Sequence, residues 1–72
     1  MTRVFDWTAF GMAVDQKLAA RGMSYRGMEA LSGISSAVVA RIVNAKGKTG
    51  LDNVVWLCDW MKLPIEIFIK TV

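Results

Sequence analysis

Trp7, Phe10, Val14 and Leu18 recur at spacings of three and four, the period that gathers side chains on one side of an α-helix. Asp6 stands before this stripe as an N-cap, and Phe5 in front of it is placed to pack on Phe10, the hydrophobic staple that fixes how a chain enters its helix. Gly22 supplies the left-handed residue that ends the segment. Ser24 then caps a second helix with Tyr25, Met28 and Leu31 or Ser32 facing inward, stopped by Gly33. Gly27 inside this helix costs about 1 kcal/mol relative to alanine, so tertiary contacts must hold the segment in shape. Ile34 fills the turn, and Ser35 caps a third helix reaching Asn44 or Ala45, after which Lys46, Gly47 and Lys48 form a loop.

Thr49 and Asp52 have the spacing of a capping box, which predicts a fourth helix from Gly50 with a core stripe of Leu51, Val54, Val55, Cys58 and Met61. Pro64 suits the first turn of a short last helix ending near Phe68. A strand over 65–69 is the competing expectation, because Ile65, Ile67 and Ile69 alternate around Glu66.

The third helix is two-sided. At about 100° per residue, Val39 and Ile42 fall on one side with Val38 at its edge, while Ser36, Ala37, Ala40, Arg41 and Asn44 gather on the other. That second side holds no large apolar group. Small residues let a helix backbone approach the base edges of a DNA major groove, and the few polar ones supply hydrogen bonds. An ordinary solvated face would carry more Glu, Lys and Gln.

Charge sharpens the picture. The chain has a formal net charge of +3, but residues 17–48 hold Lys17, Arg21, Arg26, Arg41, Lys46 and Lys48 against Glu29 alone. The remainder holds Arg3, Lys62 and Lys70 against Asp6, Asp15, Asp52, Asp59 and Glu66. Positive charge focused on the middle of the chain fits a polyanionic partner.

Length and composition set the bounds. A chain of 72 residues makes one domain and buries only about 60–65% of its unfolded surface. A hydrophobic fraction of 54% is high for that size, so part of the apolar surface is expected to serve a partner. A single cysteine, Cys58, makes no internal disulfide, and without histidine no zinc or haem site is expected, so no cofactor is assigned. No run reaches the roughly 18 apolar residues that span a bilayer, and the amino terminus has no long apolar segment behind its positive charge. A cytoplasmic protein without a membrane partner is the expectation. Enzymatic readings lack parts: Asp52 and Asp59 lie on the outer side of a helix, Cys58 belongs to the core stripe with no base nearby, and the serines at 35 and 36 have no histidine to activate them.

Residues 24–46 resemble the helix-turn-helix of the Cro/repressor (Xre-like) family: the Ser24 cap, Arg26, spaced Met28 and Leu31, Gly33-Ile34-Ser35, then Arg41-Ile42 and Asn44 before a basic loop. The continuation from Gly50-Leu51-Asp52-Asn53 through Asp59 to Leu63-Pro64 is similar to the family's fourth and fifth helices. Two positions depart from the pattern: Glu29 stands where the family usually has alanine, at the close contact of the two motif helices, and Tyr25 where it usually has glutamine. Glu29 either turns outward toward Arg26 or displaces the helix slightly. The resemblance implies an all-α, four- to five-helix lambda-repressor-like domain over residues 1–72, with helices two and three forming the helix-turn-helix, the second across the phosphate backbone and the third, about 35–44, in the groove.

Within that frame Arg41 is the long cationic side chain of the free face, suited to the O6/N7 edge of guanine or to a phosphate. Ser36 and Asn44 offer hydrogen bonds to bases or phosphates, and Ala37 and Ala40 suit thymine methyl groups. Tyr25, Arg26, Ser35, Lys46 and Lys48 are the phosphate candidates, which give affinity without sequence information. Trp56 and Trp60 lie one turn apart and point away from the expected core stripe; with Ile65, Ile67, Phe68 and Ile69 they make residues 50–72 a candidate homodimer interface. The alternative for these apolar groups is a tail folded back over the tryptophans within one chain. The reading is a dimeric bacterial or phage transcriptional regulator, most simply a repressor, that binds double-stranded DNA. Its rival is a protein-interaction module on the same scaffold, antirepressor- or antitoxin-like, using the carboxy-terminal apolar surface for a protein partner.

Overall fold

The computed structural model describes residues 1–44 and 47–72 of the chain. In chain order these form strand β1 (Arg3–Phe5), helices α1 (Trp7–Ala20), α2 (Tyr25–Ser32), α3 (Ser36–Asn44) and α4 (Leu51–Met61), a single 3-10 turn (Ile65–Phe68) and strand β2 (Ile69–Thr71). The fold is mostly helical, and the all-α expectation is corrected by a small antiparallel sheet. Its register pairs Arg3 with Thr71, Val4 with Lys70 and Phe5 with Ile69. Thr2 and Val72 exchange two further backbone bonds of 3.0 and 2.8 Å, so the two ends of the chain are tied together. Three-residue strands are too short to show a period, and each becomes a strand only by finding the other. The carboxy-terminal segment meets both expectations in part, as a 3-10 turn over 65–68 followed by a strand that begins at Ile69.

Beneath this sheet sits an aromatic cluster. Phe10 is fully buried, with ring centroids 5.4 Å from Phe5, 6.1 Å from Trp7 and 5.3 Å from Phe68, all edge-on. The staple of Phe5 on Phe10 forms as expected, and the Asp6 carboxylate accepts the Ala9 amide at 3.0 Å to cap α1. The Asp6 amide donates to the Phe68 carbonyl at 2.6 Å, and Lys70 Nζ stands 3.8 Å from the Asp6 carboxylate, so the cap of the first helix is also a seam to the last turn. Gly22 (φ +61°) ends the segment in the left-handed conformation.

In α2 the Ser24 hydroxyl accepts the Gly27 amide at 3.0 Å, and Met28 is the buried anchor. Leu31, an inward candidate, is 54% exposed instead. Ser32 takes the inward role: its hydroxyl donates to the Met28 carbonyl at 2.7 Å and accepts the Ile34 amide at 3.0 Å, joining the helix end to the turn. Gly33 (φ +80°) makes that turn, Ile34 is buried within it, and Ser35 Oγ accepts the Val38 amide at 3.2 Å to cap α3. Helix α3 packs on α1 and α2 through Val39, Ile42 and also Val43, which the sequence reading left out.

Helix α4 is rotated from its expected setting. Val54, Cys58 and Met61 are buried as expected, but Leu57 joins them while Leu51 and Val55 are exposed. The rotation carries Trp56 and Trp60 half under cover, and two indoles bring more apolar area to the core than Leu51 and Val55 would. The capping box does not form. Thr49 Oγ1 accepts the Asn53 side-chain amide at 2.9 Å, and Gly50 caps the helix without a side-chain bond. No helix of the described residues is long and apolar enough to cross a membrane.

Two stability predictions follow from these contacts. Phe10→Ala removes the ring shared by three aromatic neighbours and should cost about 3–5 kcal/mol in urea unfolding followed by circular dichroism, a large share of the stability of so small a domain. Gly33 and Lys62 both hold left-handed backbone, at φ +80° and +58°, so substitutions there should act in opposite directions. Gly33→Ala should lower the unfolding midpoint through about 1 kcal/mol of backbone strain, and Lys62→Gly should raise it through relief of a similar amount.

Candidate nucleic-acid interface

Three elements position the candidate residues. Buried Met28 seats α2, buried Val39, Ile42 and Val43 seat α3, and the Gly33 turn sets the short distance between them. With that face of α3 turned inward, the helical period turns the opposite side away from the core. Ala37, Arg41 and Asn44 are exposed, and Ser36 and Ala40, which flank the packed face, are half-buried. The five candidates of the free face therefore share one strip, and its three central members are exposed among the described residues.

The phosphate candidates divide. Arg26 and Lys48 are exposed, with no ion pair to either among the described residues. Glu29 is exposed as well, and it makes no ion pair with Arg26. Ser35 is exposed, but its oxygen is engaged in capping α3, which leaves its O–H as a donor. Tyr25 is half-buried, and its phenol oxygen accepts a bond from Asn44 Nδ2 at 3.3 Å. This bond ties the start of α2 to the end of α3 and brings together one residue expected at phosphate and one expected at bases. The tyrosine keeps its O–H to donate outward, while Asn44 commits part of its amide to the protein. Lys46 lies outside the described residues.

Arg21, part of the basic segment 17–48, sits against an aromatic ring. Its guanidinium lies 5.0 Å over the Trp60 ring. Trp60 in turn stacks on Trp56 with centroids 6.4 Å apart and planes 20° from parallel. The two tryptophans are thus half-buried against their own core rather than a free aromatic face, a correction to the sequence reading with a simple cause: the rotation of α4 described above. The buried Trp60 Nε1 finds no hydrogen-bond partner among the described residues, which costs about 1–3 kcal/mol. Among the other dimer candidates Phe68 is only 3% exposed and belongs to the aromatic cluster, so it is removed from that set. Ile65 and Ile69 are half-buried, and Ile67 is 55% exposed.

Other chemistry is sparse. Cys58 is buried, and its thiol is pushed above its ordinary pKa by burial first and then by the negative charges of Asp59 and Glu66, so it is a poor nucleophile at neutral pH. A cavity of about 190 Å³ opens between Phe5, Trp7, Thr49, Leu51, Val54 and Ile65, with no charged group on its wall. It lies at the start of α4, built from elements other than α2 and α3. No family model, curated protein or solved structure matches this chain.

Proposed function

We propose that this protein binds double-stranded DNA sequence-specifically, with α2, the Gly33 turn and α3 acting as a helix-turn-helix and α3 entering the major groove. The observation that carries the reading is the uncovered side of α3, where Ala37, Arg41 and Asn44 are exposed on a helix otherwise held by its buried valines and isoleucine. Small side chains allow close approach to base edges, and Arg41 brings a planar fork of donors that matches two acceptors at once. Arg26 and Lys48, exposed on the flanking elements, supply charge for the phosphates on either side. Two half-sites read by a homodimer complete the proposal, with exposed Ile67 at the centre of the contact and Ile65 and Ile69 at its edges. In this reading the protein is a transcriptional regulator of bacterial or phage repressor type.

Fluorescence anisotropy with random-sequence duplex across a salt series tests the central claim. Micromolar or tighter binding is expected, with a log–log salt slope of about 0.9 for each phosphate neutralised. Absence of binding at low salt would overturn the reading in favour of a protein-interaction module using the carboxy-terminal apolar surface. Arg26→Ala should weaken binding to all duplexes alike and lower the slope by about one such unit. Arg41→Ala should in addition erase about 1–3 kcal/mol of preference among sequences in a gel-shift series. Ile67→Lys should convert the wild-type dimer to a folded monomer in sedimentation; an unchanged dimer, or a monomeric wild type, would remove the proposed contact.

A further inference from the structure

Gly47 touches Arg41 twice. Its amide donates to the Arg41 carbonyl at 3.1 Å, which holds position 47 at the last turn of that helix. The arginine stem occupies the space a side chain would need there: a β-carbon at this position would stand 2.6 Å from Arg41 Cγ, 3.0 Å from Cδ and 3.4 Å from Nε. β-carbons essentially never approach another heavy atom to 2.6 Å, so any residue but glycine would push the stem aside. The neighbouring arginine by itself keeps position 47 bare. Arg41 meanwhile is exposed, and among the described residues its guanidinium makes no ion pair or hydrogen bond that would otherwise orient it.

We propose that Gly47 is a positioning residue that presets Arg41. By lying against Cγ and Cδ, it holds the stem along the end of α3 and aims the guanidinium before any ligand arrives. The consequence for function rests on the DNA-binding reading above, whereas the contact itself does not. Paired-donor recognition of guanine or phosphate depends on the orientation of the guanidinium plane. An arginine free in solvent must give up its rotamer freedom on binding, and one already held gives up less.

The test compares Gly47→Ala, Arg41→Ala and the double variant in the full chain. In the free protein, ¹⁵N relaxation should show greater mobility of the Arg41 Nε–H bond in Gly47→Ala than in the wild type. Against random-sequence duplex at low salt, Gly47→Ala should bind about 5-fold more weakly, the scale of re-ordering one rotamer-rich side chain. The same substitution should have no effect in the Arg41→Ala background. Unchanged Arg41 mobility in Gly47→Ala overturns the inference whatever the DNA result, and so does an equal loss of binding in both backgrounds. If the wild-type chain binds no duplex, the proposed function falls, and the relaxation measurement still decides whether Gly47 holds the arginine.

Discussion

The structure depends on an aromatic cluster that binds the first residues of the chain to the last. Phe5, Trp7 and Phe68 each meet Phe10 edge to face, and β1 and β2 pair directly beside them. A chain of this length has little interior to distribute, so closing its ends over one large ring cluster does what a thicker core does in a longer protein. Asp6 stands at the junction, capping α1 with its carboxylate while its amide bonds the Phe68 carbonyl. Helix α1 is thereby fixed in direction, and α3 packs across it.

That anchoring decides how α3 is presented. The buried residues Val39, Ile42 and Val43 commit one side of a nine-residue helix to the core, and α2 covers a flank. What is left outward is small or polar, with Arg41 its one cation. The bond from Asn44 to Tyr25 and the bond from Gly47 to Arg41 both act at the far end of this helix, where short helices fray. The outward strip is thus carried by one hydrophobic face, with a side-chain bond and a backbone bond at its far end.

Helix α4 shows how competing demands were resolved. Burying Leu57 and part of both tryptophans leaves Leu51 and Val55 in solvent and the Trp60 N–H without a partner among the described residues. The loss is offset by the area of two indoles and by the Arg21 guanidinium over the Trp60 ring. The same arrangement gives the exposed Arg21 guanidinium an aromatic partner while leaving its charge in place.

Local signals in the sequence determined a good deal. Asp6, Ser24 and Ser35 cap the helices they were expected to cap, Gly22 and Gly33 turn the chain where left-handed residues were expected, and the stripe of Phe10, Val14 and Leu18 is buried. These features are legible because each is settled within one or two helical turns. The two-sided pattern of α3, and with it the membership of the candidate strip, was legible for the same reason. Tertiary structure alone decided the rest. Strands of three residues carry no period and exist only as a pair drawn from opposite ends of the chain; the setting of α4 depends on which of several apolar faces fits the space α1 leaves; and the ties from Tyr25 to Asn44 and from Gly47 to Arg41 join residues whose approach no spacing encodes. Local pattern fixes which way a side chain leaves its own helix, and only packing fixes what it meets.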